Sequence, residues 1–427
     1  MPLRPGYKET EVGLLPESWT VKPLSSITEK IMVGIASAAT HAYRSTGVPM
    51  FRNQNIRRGW LDDQDLLYIA PEYEVVFRNK RLRAGDLVTM RTGYPGLTAI
   101  VPPQYDSAQS FTTLISRPRQ QEAESAYLCH FMNSEIGQSF FAQSQIGGAQ
   151  KNVNASTLRG MPVVLPSIPE QRAIATVLSD VDALLDGLTG LIAKKRNLKQ
   201  AAMQQLLTGR ARLPGFRGVW ASVRLATIGD AYAGLTGKSS ADFGAGGGRY
   251  IAFVDVIRRV AIRSGSTFER VRVGSGEAQN AVKRGDLLLN GSSETPEEVA
   301  MCALCDVDER DLFLNSFCFG FRLRPSAEAD ALFLAYLLRS DAGRTVTRSL
   351  AQGSTRYNIA KSAFLDACLL LPSRIEQAAI ATVLSDMDAE LTALDARRAK
   401  TQALKQAMMQ ALLTGRIRLV SPEPAHA

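Results

Sequence analysis

Histidine and cysteine are scarce in this 427-residue sequence, with three of the first and five of the second. His41, His130 and His426 are dispersed and propose no acid–base pair. An odd cysteine count in so long a chain excludes a disulfide framework and points to a reducing compartment. Cys302 and Cys305 form Cys-x-x-Cys, but a zinc site needs a second such pair, and Cys318 and Cys368 do not form one. Cysteines in apolar strands such as Leu312 to Phe321 are expected in the core, and no metal is expected. No apolar run is long enough to cross a bilayer, and Met1 to Thr10 has no apolar signal core, so a cytoplasmic protein is expected. No Walker loop, no Asn-Pro-Pro-Tyr-like amination motif and no carboxylate–lysine nuclease cluster occurs. Asp242-Phe243-Gly244-Ala245-Gly246-Gly247-Gly248, with Asp255 after it, mimics a nucleotide loop. No apolar strand precedes it, and Asp255 comes far sooner than the roughly 20-residue spacing of a dinucleotide unit. A flexible loop is expected there. Catalytic residues are expected to be none.

What the chain does have is positive charge and repetition. The formal charge of +9 and pI near 9.4 favour a polyanionic partner. The stretch from Ser167 to Arg210 returns from Ser373 to Arg416 at a constant offset, since 376 − 170 and 415 − 209 both give 206. Roughly two thirds of the positions are identical, without a gap. Each copy reads as one long helix. Ser167 and Glu170, and again Ser373 and Glu376, have the spacing of a capping box. Gly209 and Gly415 stand where a left-handed C-cap belongs. Apolar residues alternate by fours and threes at Ile174, Leu178, Val181, Leu185 and Leu188, and at Ile380, Leu384, Met387, Leu391 and Leu394, the seam of a coiled coil. Basic residues interrupt it at Lys194 to Arg196 and at Arg397 and Arg398, and it is expected to resume at Leu198 and Leu404. Helices about 60 Å long cannot bury such stripes on one ordinary domain. The two stripes are expected to bury each other, antiparallel.

The expected organisation is a first globular domain over 1–165, a helix over 166–212, a second domain over 213–371, a second helix over 372–420 and a disordered tail over 421–427. The two domains echo one another. Gly285-Asp286-Leu287 repeats Gly85-Asp86-Leu87, Trp220 repeats Trp19, Asn315-Ser316-Phe317 repeats Gln109-Ser110-Phe111, and 353–359 repeats 147–153. Core positions agree while the polar positions between them differ, as expected of one scaffold holding two different recognition surfaces.

Globular domain, long helix, globular domain, long helix resembles the specificity subunit of type I restriction-modification enzymes. The phrases Leu165-Pro166-Ser167-Ile168-Pro169-Glu170-Gln171 and Leu206-Leu207-Thr208-Gly209, with their second copies, are similar to that family's spacer helices, and the Gly85-Asp86-Leu87 and Trp19 motifs to its target recognition domains. The resemblance implies an α+β chain: two similar α/β target recognition domains, joined by two long antiparallel coiled-coil helices in an internal pseudo-two-fold repeat. It implies double-stranded DNA as ligand, each domain reading half of a bipartite site while the helices set the gap. About 60 Å of helix corresponds to at most roughly 17 base pairs. It further implies two methyltransferase subunits and restriction/translocase subunits as partners, with S-adenosylmethionine, ATP and Mg in those partners, no cofactor in this chain and no membrane. A non-enzymatic coiled-coil adaptor with two protein-binding domains is the alternative, and it should not bind duplex DNA.

Base readout needs short side chains with paired donors and acceptors, plus arginine, on loops that reach a groove. The first domain offers Asn53, Gln54, Asn55, Arg57 and Arg58, then Arg91, Thr92 and Tyr94, then Gln150, Lys151 and Asn152. The second offers Asp255, Arg258 and Arg259, then Asn290, Ser292 and Ser293, then Arg356, Tyr357 and Asn358. Their clustering at equivalent places in both repeats carries the reading, with lysine and arginine serving phosphates more often than bases.

Overall fold

The computed structural model describes residues 5–37, 39–144 and 152–420. The expected tail, 421–427, lies outside the described residues. The chain forms two compact units, Met1–Thr189 with Ala396–Ala427, and Gly190–Asp395. Both long helices, Ile168–Leu206 and Arg374–Leu413, contribute residues to each unit.

The first unit is built on an antiparallel sheet ordered Thr28–Val33, Leu114–Pro118, Leu87–Thr89, Thr98–Ile100. Both faces are buried, so the short strands read as apolar runs and successive side chains serve different cores. Leu87 and Leu114 pack with Leu128 and Phe131 of the helix Ser125–Met132. Val88 and Ile115 pack with Phe51 and Ile56 on the other side.

The second unit has a five-stranded sheet ordered Gly229–Ala233, Cys318–Leu323, Leu287–Asn290, Cys302–Asp306, Ala261–Arg263. Leu287 and Leu289 face the helix Ala331–Arg339, and Leu288 faces the opposite core. The same alternation sends Cys302 to one face and Cys305 to the other. Three residues apart on a strand, they cannot share an ion. Burial also pushes their thiols up, to about 12 and about 11, away from the thiolate a metal needs.

The glycine-rich stretch is not a loop. Phe243–Ile251 is a strand, bulged where it pairs with Glu269–Val271 and parallel to Leu312–Leu314. Its glycines let backbones approach: a Cβ on Gly246 would stand 2.6 Å from Arg272 Cα. Asp242 accepts from the backbone and hydroxyl of Ser239, both at 2.9 Å, and so holds a turn.

The long helices enter both cores. Ile174 and Leu178 join Leu128, Phe131, Met409 and Leu412 in the first unit. Ile380 and Leu384 join Leu206, Leu207 and Phe333 in the second. Leu185 and Leu188 are buried, while Val181, Met387, Leu391 and Leu394 are half-buried.

Beyond its middle, the seam differs from expectation. Leu198 and Leu404 are 48% and 55% exposed. The four-three alternation instead continues through Ile192, Lys195, Lys199, Ala202 and Leu206, and through Arg398, Thr401, Lys405, Met408 and Leu412, all buried or half-buried. The basic runs do not break the period; they occupy it. Lys199 pairs with Asp388 at 2.5 Å and Lys195 with Glu390 at 2.7 Å in the second unit, and Lys405 pairs with Asp182 in the first. Leu198 and Leu404 each stand one residue before a seam lysine, and are thereby turned outward.

The helix N-termini depart from a capping box in the same way twice. Ser373 Oγ accepts from Glu376 N at 3.4 Å, but the glutamate does not reach back. Its buried carboxylate takes both prongs of Arg212, at 2.5 and 2.6 Å. In the first unit the buried Glu170 carboxylate takes both prongs of Arg418 and the indole N–H of Trp19, the latter at 3.1 Å. Each arginine also lies over a tryptophan, Arg418 over Trp19 and Arg212 over Trp220. The neighbouring glutamines are clamps. Gln171 bonds Glu124 N, Glu122 O and Pro166 O, and Gln377 bonds Asp330 N, Glu328 O and Pro372 O.

At the C-termini, Gly209 and Gly415 have φ of +69° and +67°. Ala211 N and Ile417 N, two residues past those glycines, reach back to Gln205 O and Ala411 O and so satisfy carbonyls of the last helical turn.

Candidate nucleic-acid interface

In each unit a buried aspartate fixes the start of the central strand. Asp86 accepts from Arg83 N at 2.8 Å and from two nitrogens of Arg117 at 2.8 and 2.7 Å. Asp286 accepts from Lys283 N at 2.8 Å, from Arg322 at 2.7 and 2.6 Å, and from the Tyr232 hydroxyl at 2.6 Å. The Gly-Asp-Leu motif therefore anchors the frame. The candidate readout residues lie past the other end of the same strands.

In the first unit the loop after Leu87–Thr89 is joined to the segment before the last short helix. Thr92 bridges Asn152, Val153 N donates to Arg91 O, and Arg91 Nε donates to Asn152 Oδ1 at 3.0 Å. Asn53 ties in, accepting from Arg91 N at 3.0 Å and donating to Thr92 Oγ1 at 3.2 Å. Tyr94 stands on this loop, 79% exposed. Thus Asn53, Arg91, Thr92 and Asn152 form one network with Tyr94 at its edge. Thr112, which Asn53 also reaches at 3.5 Å, belongs with them and was not signalled by its neighbours in sequence. Gln54 and Arg57 are exposed on the adjoining turn, where Arg57 pairs with Asp62 at 2.7 Å. Arg58 turns elsewhere, to Asn133 O. Gln150 and Lys151 lie outside the described residues.

In the second unit the equivalent loop is joined in the equivalent way. Ser292–Ser293 pairs antiparallel with Tyr357–Asn358, and Ile359 N donates to Gly291 O. Asn152 and Asn358 hold corresponding places, 206 residues apart. Exposed Arg356 lies over the ring of Phe317, 5.4 Å from its centroid, and Phe317 O accepts from Gly291 N. Phe317 was missed as a site residue; its signal was an exposed aromatic in a loop otherwise of polar residues. Asp255, Arg258 and Arg259 stay apart, on and just after the short helix Phe253–Arg258, with Asp255 and Arg259 paired at 3.0 Å.

Two candidates are corrected. Asn55 is buried, accepting from Arg52 N and donating to Asp62 O and Gln64 O. Asn290 is buried, accepting from Met301 N and donating to Ser292 O and Glu298 O. Every polar atom of these amides is used in shaping a turn, so neither can meet a base without undoing its loop. Ser292 and Ser293 are also buried, and the Ser293 hydroxyl goes to Glu298 at 3.0 Å. They offer backbone placement more than readout.

Residues 16–195 match the family described as the type I restriction modification DNA specificity domain. The chain is similar to the type I restriction enzyme StySPI specificity subunit of Salmonella potsdam, 24% identical over 392 residues, covering 86% of this chain and 81% of that one. It is 28% identical over 214 residues to the specificity subunit assigned to the type I restriction enzyme MjaX of Methanocaldococcus jannaschii, and spans about half of that relative's length, 48%. The fold is that of the type I restriction-modification S subunit from M. genitalium, with TM-score 0.58 at 12% identity, covering 96% of this chain and 98% of that one. A chain solved for the assembly and conformational transition of a type I system gives TM-score 0.55 at 17% identity, over 94% and 99%. In sequence and fold the chain is thus similar to type I specificity subunits, and the adaptor reading is not favoured. Among the described residues no helix is long and apolar enough to cross a membrane.

Proposed function

We propose that this chain is the DNA sequence-specificity subunit of a type I restriction-modification system, a recognition subunit without catalysis of its own. The observation that carries the reading is the twice-built loop junction, Thr92 with Asn152 and Ser292–Ser293 with Tyr357–Asn358. Each lies past the end of a central strand anchored by a buried Asp–Arg pair. A frame repeated in its buried contacts and varied in its exposed side chains suits two recognition domains reading different half-sites. In the first, Asn53, Gln54, Arg57, Arg91, Tyr94 and Asn152 are the groups for DNA. In the second they are Arg356, Tyr357 and Asn358, with Arg258 and Arg259 for phosphates.

The two repeated helices form an antiparallel coiled coil and the chain a pseudo-two-fold repeat. The continuous four-three seam and the duplicated pairs support this, since 388 − 182 and 405 − 199 both give 206. The helices fix the spacer between half-sites. The subunit docks two methyltransferase subunits and restriction/translocase subunits in the cytoplasm, and those partners supply the sites for S-adenosylmethionine, ATP and Mg. The test maps methylated bases in the host genome with and without this gene. A bipartite methylated sequence that vanishes on deletion is expected, and an unchanged methylation map overturns the reading.

A further inference from the structure

We infer that Arg356, laid on the ring of Phe317, is the guanine-reading group of the second unit. The inference rests on the reading of this chain as a DNA-recognition subunit. A guanidinium is planar by its own resonance, and one carried over an aromatic face keeps its N–H edge free for a ligand. That planar fork matches the O6 and N7 acceptors that guanine presents in the major groove. A phosphate contact needs only a positive charge on a long stem and gains little from an aromatic shelf beneath it.

Two further observations support base readout. Most guanidinium groups around the second unit's core are tied down: Arg322 to Asp286, Arg324 to Asp230 and Arg339 to backbone carbonyls. Among the described residues no hydrogen bond or ion pair holds the guanidinium of Arg356, whose backbone carbonyl alone is bonded, by Asn358, so its donors remain for a ligand. The shelf is also built in. Phe317 is 55% exposed, yet its backbone N donates to Asn315 Oδ1 at 2.9 Å and its carbonyl accepts from Gly291 N at 2.7 Å. An aromatic ring left in water on a loop so closely fixed calls for a partner, and Arg356 covers only one part of it.

The test selects bound sequences from a randomised duplex library with the purified full-length chain and its Arg356→Ala, Arg356→Lys and Phe317→Leu variants, at two salt concentrations. The wild type should enrich two blocks of defined sequence. Both Arg356 variants should lose preference for guanine at one position of one block, by roughly 5- to 150-fold, the discrimination of one bidentate contact. The other block and the salt dependence should stay as in the wild type. Phe317→Leu should relax the same position by less. An Arg356→Lys chain that selects as the wild type does would show that charge alone suffices, and overturns the assignment. So would an Arg356→Ala chain that recovers all sequences equally weakly, or leaves every position unchanged. If the wild type itself enriches no sequence, the DNA-recognition reading fails, and this inference with it.

Discussion

Glu170 is the point where the first unit should be most sensitive. Its carboxylate is buried and meets three donors, two from Arg418 and one from Trp19. Replacing it by alanine leaves a guanidinium and an indole N–H without their acceptor. Removing one partner of a buried ion pair costs about 3 to 5 kcal/mol. The Arg418 side chain is 24% exposed and recovers some hydration, which places the cost near the lower end, about 3 kcal/mol. A unit of this size unfolds in urea with a slope of about 3 kcal/mol per molar, so the midpoint should fall by about 1 M.

The assay is urea unfolding of the full-length chain followed by Trp19 fluorescence, with Trp60 and Trp220 replaced by phenylalanine so that one reporter remains. Glu170→Gln keeps an acceptor for the indole and should lose about half as much. Arg418→Met should resemble Glu170→Ala, and the double variant should be little worse than either, because the same pair is lost in each. A midpoint shift under about 0.3 M for Glu170→Ala, or two single shifts that simply add, would refute the latch.

Other perturbations separate frame from surface. Lys405 occupies a seam position and is buried, so Lys405→Met should leave the thermal midpoint unchanged or raise it, because a well-packed methionine avoids desolvating an ammonium. His130 is pulled down to about 4, first by burial, with Asp182 opposing and Lys405 adding to the effect, while Ser179 lies 3.1 Å from its Nε2. With the folded value below the unfolded one, near 6.5, stability is full above about pH 6.5 and is lost progressively as pH falls toward 4, by up to about 3 kcal/mol. His130→Asn should flatten that slope in pH-dependent unfolding. Asn290→Ala should lower stability by about 2 kcal/mol, as buried turn-forming bonds are lost, while Asn358→Ala should leave the melting curve alone and alter the DNA sequences selected.

Much of the frame is legible in the sequence. The helices declared themselves through period and repetition, because a buried stripe must recur every three or four residues. Their left-handed ends were legible because few residues other than glycine adopt that conformation without strain. What escaped was anything in which a polar residue did the work of an apolar one. Lys199 and Lys405 fill seam positions, and a scan for leucine passes them over in favour of the exposed Leu198 and Leu404. Glu170 and Glu376 have the spacing of caps, yet their partners lie more than 160 residues away along the chain. Asn55 and Asn290 have the composition of readout residues, and only their bonds to turn backbone show otherwise. Apolar periodicity reports which face is buried; what these polar side chains meet, near in sequence for the two asparagines and far for the glutamates and lysines, is set by the folded chain.

The distant contacts divide the molecule by role. Those repeated in both units, Glu–Arg over tryptophan, the glutamine clamps, Asp–Arg beneath the central strand and lysine–aspartate in the seam, all involve buried or half-buried groups. Where the units differ, the groups are at the loop junctions: an Asn–Arg–Thr network beside Tyr94 in one, and an arginine on phenylalanine beside Tyr357 in the other. Substitution in a buried pair strands a charge and is felt by the whole unit. Substitution at a loop tip changes which hydrogen-bonding edge is offered and leaves the strand beneath it clamped. Exchanging residues 1–165 for the corresponding domain of a similar specificity subunit should therefore change one half-site and leave the spacer as it was. Four residues inserted near Lys195 should instead lengthen the helix by about 6 Å and shift the spacer by one or two base pairs with both half-sites retained. Methylation mapping of each altered chain decides it. New bases read after the insertion, or a new spacer alone after the exchange, would show that frame and readout are not divided in this way.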